Sequence, residues 1–336
     1  MVKIIADSTC DLSKELIEQY DIDLIPLYIH LGEEEYQDGV NVTPEDIYQW
    51  SEENKSTPKT AASSIEDVIN VLNPYVEAGQ EVVFFTISSE MSTEYNVVNM
   101  AIDELECEDL VTVIDSRNLS TGIGLLVLEA AEMAQQGKTA KEIESVMEAL
   151  KPYVRSSFVV DTLKYLHRGG RCSATSALVG GIFKVKPKIV VKDGKMDAGK
   201  KYRGSLEHVL SEYTKEMEKQ LLSARDNHVF ITHSGCDESI VSEIKGYLEG
   251  LSRFKQIHVT RAGGVISSHC GPGTLGVLFI EKEKQYGPYD SKFDKNRNGI
   301  MEAEEKAAEN SYIQRLAEID KGPDDYDEED DSGEDF

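Results

Sequence analysis

The stretch 266–273 places a histidine, two hydroxyls and a thiol beside a turn, and it offers the clearest chemistry in the chain. It reads Ile-Ser-Ser-His-Cys-Gly-Pro-Gly, and its glycines and proline predict a tight turn next to an apolar run. We expect Ser267, Ser268 and His269 to sit at a strand end and to point into a cleft. Because an imidazole and hydroxyls donate hydrogen bonds, this set suits the anionic head group of a ligand.

Three further hydroxyl clusters and one arginine could join this stretch in a single site. The hydroxyl clusters lie around Ser8, Thr60 and Ser92, each at a predicted turn. Arg171 follows two glycines, which allow the backbone to approach a pocket closely. A guanidinium at such a place is a natural partner for a carboxylate, although a surface salt bridge explains this fragment equally well.

The elements that would position these residues follow an α/β pattern, in which apolar strands end at polar turns and helices follow. Such strands are predicted at Val2–Ala6, Asp23–Leu31, Val82–Ile87 and Val111–Ile114, and again from Ser156. Open α/β sheets bind ligands beyond the carboxyl ends of their strands, where these polar turns lie. Length and pattern together predict two α/β domains, residues 1–153 and 154–282.

The charge balance excludes several classes of partner. Asp and Glu total 62 against 35 Lys and Arg, and the net charge of -27 argues against nucleic acid and anionic membrane. No apolar run is long enough to span a membrane and the N-terminus lacks a signal-peptide layout. We therefore expect a cytoplasmic protein without stable membrane insertion. The five cysteines include no CxxC pair, so neither a disulfide framework nor a zinc site is indicated.

Two enzyme-like patterns are incomplete. Residues 271–276 match the letters of the dinucleotide-binding fingerprint, but that motif needs a helix after its glycines and here a strand is predicted. Ser92 and His269 could act as nucleophile and base in a serine hydrolase acting on a lipid ester. The chain has no GxSxG motif, and the sequence does not identify an orienting acid. The hydrolase is therefore kept as the alternative to a binding protein.

Five motifs, in their order along the chain, resemble the DegV family, which is similar to the fatty-acid-binding B-subunits of bacterial fatty acid kinase. They are Ile5-Ala-Asp-Ser-Thr-Cys-Asp-Leu12, Lys59-Thr-Ala-Ala-Ser-Ser64, Ile87-Ser-Ser-Glu-Met-Ser-Thr-Glu-Tyr95, Tyr165-Leu-His-Arg-Gly-Gly-Arg-Cys-Ser173 and Ser268-His-Cys-Gly-Pro-Gly273. Phe183-Lys-Val-Lys-Pro187 and Asp193-Gly194 also fall in register. The resemblance covers about residues 1–282, which is most of the chain.

The resemblance implies two α/β domains with a long-chain fatty acid buried in a cleft between them. It places the groups that bind the lipid carboxylate at Thr60, Ser92, Arg171 and His269. It also implies a non-catalytic subunit that presents the carboxyl group to a separate fatty acid kinase, which forms the acyl phosphate. Physical chemistry agrees, because a buried carboxylate must be paired or hydrogen-bonded, and each buried methylene contributes about 0.8 kcal/mol.

The sequence departs from the family pattern at two positions near the expected head group. Ala61 stands where the family usually has a second hydroxyl, so one hydrogen bond to the carboxylate is lost. Ser92-Thr93-Glu94 stands where the family has Ser-Gly-Thr, and we expect Glu94 to place an acid close to the bound carboxylate. Both changes bear on affinity and on the choice of head group.

The C-terminal segment carries a separate motif. Residues 294–305 fit the twelve-residue calcium loop, with Gly299 at the turn, and an EF-hand-like appendage is predicted over 283–319. Oxygens would come from Asp294, Asn296, Asn298, Glu302 and Glu305 side chains and from the Ile300 carbonyl. No entering helix is predicted, and an acidic linker is the alternative. Residues 320–336 contain ten acids and one lysine, a composition that predicts a disordered tail.

Overall fold

The structure is a computed structural model that describes residues 1–171 and 185–282. Its contacts group Met1–Lys282 into one compact unit, and the α/β core was expected to end at residue 282. The calcium loop predicted at 294–305 and the acidic tail predicted at 320–336 lie outside the described residues. Within the described part, no helix is long and apolar enough to cross a membrane.

Strands and helices alternate along much of the described chain, as the α/β pattern predicts. The strands are β1 (Lys3–Asp7), β2 (Ile22–Ile25), β3 (Tyr28–Leu31), β4 (Glu34–Gln37), β5 (Lys59–Ala61), β6 (Val82–Thr86), β7 (Val111–Asp115), β8 (Val154–Arg155), β9 (Ser157–Val159), β10 (Lys186–Lys192), β11 (Lys195–Tyr202), β12 (Ala224–Ser234), β13 (Gln256–Arg261) and β14 (Thr274–Glu281). The helices are α1 (Lys14–Gln19), α2 (Pro44–Asn54), α3 (Ile65–Glu77), α4 (Glu94–Leu105), α5 (Thr121–Gln135), α6 (Ala140–Leu150), α7 (Lys164–Gly169), α8 (Leu206–Glu216), α9 (Glu218–Leu222), α10 (Glu238–Gly250) and α11 (Gly264–Cys270).

A parallel sheet in the order β2-β1-β6-β7 and a small antiparallel sheet in the order β4-β3-β5 form the first half of the core. Every residue of β1 and β6 is buried, as in a sheet covered on both faces. The prediction of one strand over Asp23–Leu31 is wrong. Pro26 separates β2, at the edge of the parallel sheet, from β3 in the small sheet, because proline cannot donate to a continuous ladder.

The third sheet has the order β11-β10-β9-β14-β12-β13, with β8 also paired to β14. Its pairings are antiparallel except that of β12 with β13. The hairpin predicted at Asp193-Gly194 is confirmed and joins β10 to β11. Both turn residues have positive φ, 50° and 81°, which a tight two-residue hairpin turn of this kind requires.

Helix α5 joins the two large sheets into one core. It contacts β1 and β6 of the parallel sheet and also β8, β12 and β14 of the third sheet. A single cluster of buried apolar side chains accordingly includes Ile4, Leu126 and Phe230. The third sheet begins at Val154, so the domain boundary predicted at residue 153 falls between the sheets while apolar packing continues across it.

The prediction that residues 267–269 sit at a strand end is wrong. Ser267, Ser268 and His269 lie on helix α11, and the predicted turn follows it, with Gly271 at a φ of 76°. The two serine hydroxyls are buried and donate to the carbonyls of Ala262 and Gly264, at 3.2 and 2.7 Å, so they do not point into a cleft. A helix of seven residues shows too little periodicity to be distinguished from a short apolar strand.

Candidate functional site

One cavity of about 310 Å³ collects the four residues to which the family resemblance assigned the head group. Thr60, Ser92, Arg171 and His269 all line it. Most of the remaining wall is apolar and comes from Leu27, Ile87, Met91, Leu119, Met196, Val265 and Ile266. The cavity therefore combines a polar end, rich in hydrogen-bond donors, with apolar walls, which is the division that an amphiphilic anion needs.

His269 forms the centre of the polar end. Its Nε2 atom lies 2.8 Å from the hydroxyl of Thr60 on β5, and its Nδ1 atom has no hydrogen-bond partner among the described residues. Burial and, to a smaller extent, the nearby charge of Arg171 together lower the pKa of His269 to about 4. The ring is therefore neutral at physiological pH and can donate one hydrogen bond without carrying charge.

Gly169 explains how His269 and Arg171 come together. A Cβ atom at residue 169 would lie 2.3 Å from Nδ1 of His269, so only glycine allows the last turn of α7 to approach the ring. The chain then turns at Gly170, whose φ is 68°, and Arg171 Nη1 donates to the carbonyl of Gly169 at 2.8 Å. The close approach predicted from the glycine pair is confirmed.

Ser92 reaches the cavity from the turn that leads into α4. Its backbone N–H donates to the carbonyl of Ser88 at 3.1 Å, and its hydroxyl accepts from the N–H of Glu94 at 3.3 Å. Side-chain acceptance of an N–H two residues on is the usual behaviour of serine in such turns. The hydroxyl hydrogen of Ser92 is left available for a ligand in the cavity.

Glu94 does not occupy the place expected from the sequence. Its carboxylate accepts from the backbone N–H of Ser63 at 2.8 Å and from the Ser63 hydroxyl at 2.6 Å, and the side chain is fully buried. Burial raises the pKa of Glu94 to about 7, with a further contribution from Asp7. Glu94 is not part of the cavity wall, so the prediction that it places an acid beside the head group is wrong. Ala61, the other departure from the family pattern, does line the cavity.

Two buried carboxylates that the sequence reasoning missed hold the helix that carries His269. Asp38 Oδ1 accepts from the N–H of Gly264 at 2.6 Å, and Asp11 Oδ1 accepts from the N–H of Gly263 at 2.8 Å. Asp11 also accepts from the Ser120 hydroxyl at 2.5 Å. Acidic side chains at a helix start offer acceptor oxygens to its unpaired N–H groups, so both residues position His269 without touching the cavity.

The sequence contains only partial signals that these two acids have a structural role. Asp11 lies inside the first of the five family motifs, and Asp38 precedes Gly39 in a stretch that predicts a turn. Nothing in the sequence relates either residue to α11, which lies more than 220 positions further on. Burial raises the pKa of Asp11 to about 8 and raises that of Asp38, which is consistent with their deep positions.

The geometry around His269 does not build a hydrolytic triad. The described hydrogen bond of its Nε2 atom goes to Thr60 rather than to Ser92. No described carboxylate contacts Nδ1, so the ring lacks the orienting acid that a serine nucleophile requires. The arrangement favours hydrogen bonding to a bound anion over proton transfer.

The fold and the cavity place the chain in a class of α/β proteins whose binding cavity is lined by both polar and apolar residues. The chain belongs to the DegV family: the family model described as "Uncharacterised protein, DegV family" matches residues 1–282. A DegV domain-containing protein of Clostridium perfringens is 35% identical over 84% of this chain and 99% of that protein. Another, from Deinococcus radiodurans, is 31% identical over 82% of this chain and 97% of that protein.

Two solved structures, one of them described as a DegV family protein, have the same fold. A DegV family protein from Thermus thermophilus, described by its fatty acid binding, has a TM-score of 0.77 at 28% identity and covers 83% of this chain and 99% of its own. A stearic acid-binding protein from Eubacterium ventriosum has a TM-score of 0.74 at 30% identity and covers 84% of this chain and 99% of its own. The resemblance seen in the five motifs and the predicted α/β fold of DegV type are both confirmed.

Proposed function

We propose that this chain binds a long-chain fatty acid whose carboxylate is held by Thr60, Ser92, Arg171 and His269. The observation that carries the proposal is that these four side chains, from four separate segments, line one cavity with apolar walls. The fatty acids bound by the Thermus thermophilus and Eubacterium ventriosum relatives support the same ligand class.

The energetics of the cavity favour this ligand. Arg171 supplies the charge that a buried carboxylate needs, and Ser92 supplies a hydrogen bond. The bonded pair of Thr60 and neutral His269 has one further hydrogen available for the ligand. Glu90 also lines the cavity, but its carboxylate pairs with the ammonium of Lys195 at 3.1 Å, which offsets its repulsion. Each methylene placed on the apolar wall adds about 0.8 kcal/mol, so the acyl chain is retained without a covalent bond.

We further propose that the chain is a non-catalytic, cytoplasmic subunit that presents the carboxyl group to a separate fatty acid kinase. The family resemblance is the origin of this part of the proposal. It is supported by the absence, in the described part, of an acid that could orient His269 as a general base. The carboxylate would keep its charge and be phosphorylated by the partner.

The segment 294–305 is proposed to bind one Ca²⁺ ion through Asp294, Asn296, Asn298, Ile300, Glu302 and Glu305. The support is the complete loop motif in the sequence. Since the resemblance to DegV proteins ends at residue 282, calcium and lipid binding are expected to be separable.

Mass spectrometry of lipids released from the denatured, purified protein tests the main proposal. Co-purifying long-chain fatty acids are the expected result. If none is found, and the protein hydrolyses lipid esters in a manner abolished by Ser92→Ala, the hydrolase is correct instead. Mixing the loaded protein with a fatty acid kinase and ATP then tests presentation separately, with acyl phosphate as the readout.

A further inference from the structure

A second cavity, of about 690 Å³, lies beside the β10–β11 hairpin and the segment 148–155. Four of its lining residues are cations, Arg117, Lys151, Arg155 and Lys192, and two are acids, Glu148 and Asp193. A concentration of positive charge is unexpected in a chain whose net charge is -27. This positive charge reduces the electrostatic repulsion that an anion meets when it approaches the negatively charged protein at this cavity.

Two of the four cations form ion pairs with glutamates, and the other two form no ion pair in the described part of the chain. Lys151 pairs with Glu148 at 2.6 Å, and Arg155 pairs with Glu281 at 2.5 Å. Arg117 and Lys192 have no ion-pair partner within residues 1–171 and 185–282. Arg117 and Lys192 lie beside the hairpin turn and outnumber the one acid of the cavity wall that has no ion-pair partner in the same described ranges, Asp193.

Two hydrogen bonds hold Arg117 in place. The guanidinium of Arg117 donates through Nη2 to the carbonyl of Asp193 at 2.8 Å, which leaves its remaining N–H groups for a ligand. Arg117 has a φ of 50°, an uncommon backbone conformation for a side chain of this size. Its backbone N–H donates to Asp115 Oδ1 at 2.9 Å and so stabilises that conformation.

Apart from Asn118 and Gly194, the rest of the wall is apolar. Pro152, Val154, Val190 and Val191 form it, next to the cations. A bare inorganic ion would leave this surface uncovered, whereas an anion attached to an apolar or aromatic body would cover it.

This second cavity is separate from the cavity that contains His269, in which we propose that the fatty acid binds and which we call the lipid cavity. The same hairpin borders both cavities. The two share no lining residue among those described. The hairpin is fixed to the first cavity by the hydroxyl of Ser88, which donates to the carbonyl of Gly194 at 2.7 Å. Of the hairpin residues, Met196 lines the cavity that contains His269, whereas Lys192 lines the second cavity. Glu90 also lines the first cavity, and Arg117 also lines the second.

We propose that the second cavity binds a phosphate monoester carried on an apolar or aromatic body, such as a nucleoside monophosphate. A phosphate monoester has a charge of about −1.5 to −2 at pH 7, so the excess of cations over acids in this cavity attracts it more strongly than a singly charged anion. Arginine presents its N–H groups in a fork that fits phosphate oxygens, and lysine adds a point charge. The body of the ligand lies on the valine and proline surface.

Calorimetry on the full-length protein with AMP, adenosine, inorganic phosphate and succinate tests the proposal. AMP should bind, and the other three should each bind at least roughly tenfold more weakly, because each lacks the body, the phosphate or both. Succinate or inorganic phosphate binding as tightly as AMP would overturn the ligand class. Absence of AMP binding at low millimolar concentration would overturn the site.

Matched variants locate the binding. Arg117→Ala and Lys192→Ala should each weaken AMP roughly tenfold, whereas Lys245→Ala, on the exposed face of α10, should not change it. Equal losses in all three variants would show a diffuse charge effect and overturn the site, as would no loss in either of the first two. Unchanged thermal unfolding and unchanged lipid content in Arg117→Ala and Lys192→Ala would show that fold and lipid cavity are intact.

Discussion

The hydroxyl of Thr60 lies 2.8 Å from Nε2 of His269, although the two residues are 209 positions apart in the chain. Thr60 belongs to the small antiparallel sheet, and His269 belongs to a helix that precedes the central strand β14 of the third sheet. The contact therefore forms only when the two halves of the core have assembled. It fixes the tautomer of His269 if the hydroxyl accepts, and it leaves the Thr60 hydrogen for a ligand.

Arg171→Ala is expected to weaken fatty acid binding most. The variant removes a hydrogen bond from a charged group, worth roughly 1.5–3 kcal/mol, because solvent screens the exposed guanidinium below the value of a fully buried pair. Displacement of a fluorescent fatty acid measures the change. Arg168→Ala is the matched control, because Arg168 is exposed like Arg171 and lies three residues earlier, but does not line the cavity. Equal affinities for wild type and Arg171→Ala would place the head group elsewhere.

Thr60→Val and Ser92→Ala are expected to have smaller effects. Each removes one neutral hydrogen bond, worth roughly 0.5–1.5 kcal/mol net. His269→Ala should fall in the same range, because the ring is neutral. The same displacement assay measures all three. If these variants and Arg171→Ala all retain wild-type lipid content and affinity, the assigned site is wrong.

Gly169→Ala tests the close approach of α7 to the ring of His269. The added Cβ would lie 2.3 Å from Nδ1, so the ring or the helix must move, at a cost of about 1–3 kcal/mol. We expect both lower stability and lower lipid affinity, measured by urea unfolding and ligand displacement. Gly246→Ala in α10 is the control, since nothing lies within 4 Å of its added Cβ. That variant should be stabilised by about 0.5–1 kcal/mol.

The buried acid Asp11 predicts a fall in stability as the pH rises. Burial raises its pKa to about 8, whereas the unfolded chain loses this proton near its ordinary value, about 3.9. Between these values the folded state binds more protons than the unfolded state, so the free energy of unfolding decreases with pH. The slope from one such group is about 1.4 kcal/mol per pH unit at most.

The suitable window is pH 6.5 to 8. Below pH 6.5, His258 and His269 have the opposite effect on stability. Burial lowers their pKa values to about 4, so the unfolded chain binds more protons at these two residues than the folded chain, and the free energy of unfolding rises with pH. Urea unfolding across this window should show a falling free energy in the wild type and a flatter profile in Asp11→Asn. Glu249→Gln, at an exposed position on α10, should keep the wild-type slope. Parallel profiles for wild type and Asp11→Asn would contradict the prediction.

Calcium should bind the segment 294–305 weakly. The loop has the expected oxygens, but a lone loop without a predicted entering helix is poorly preorganised, and we expect a Kd of roughly 10⁻⁵–10⁻³ M. Calorimetric titration of the intact chain should give heats that disappear in the double variant Asp294→Ala, Glu305→Gln. Identical heats from both proteins would identify the segment as an acidic linker. Lipid content should be the same in both.

The sequence by itself determined the fold class and supplied the candidate residues for the head-group site. Apolar strands ending at polar turns predict α/β layers, because strand burial and helix formation depend on local residue patterns. The Gly169–Gly170 pair indicated a close approach, and Asp193-Gly194 indicated a hairpin, because few residues tolerate positive φ. The family motifs supplied Thr60, Ser92, Arg171 and His269 as candidates for one site.

Only the tertiary structure decided which side chains meet and which turn away. Glu94 adjoins the site in sequence but is directed to Ser63, because a buried carboxylate takes the strongest donors within reach. The stretch around His269 became a helix because Asp11 and Asp38, more than 220 positions earlier, satisfy its first N–H groups. Such long-range hydrogen bonds leave no periodic signal, so local patterns in the chain could not predict them.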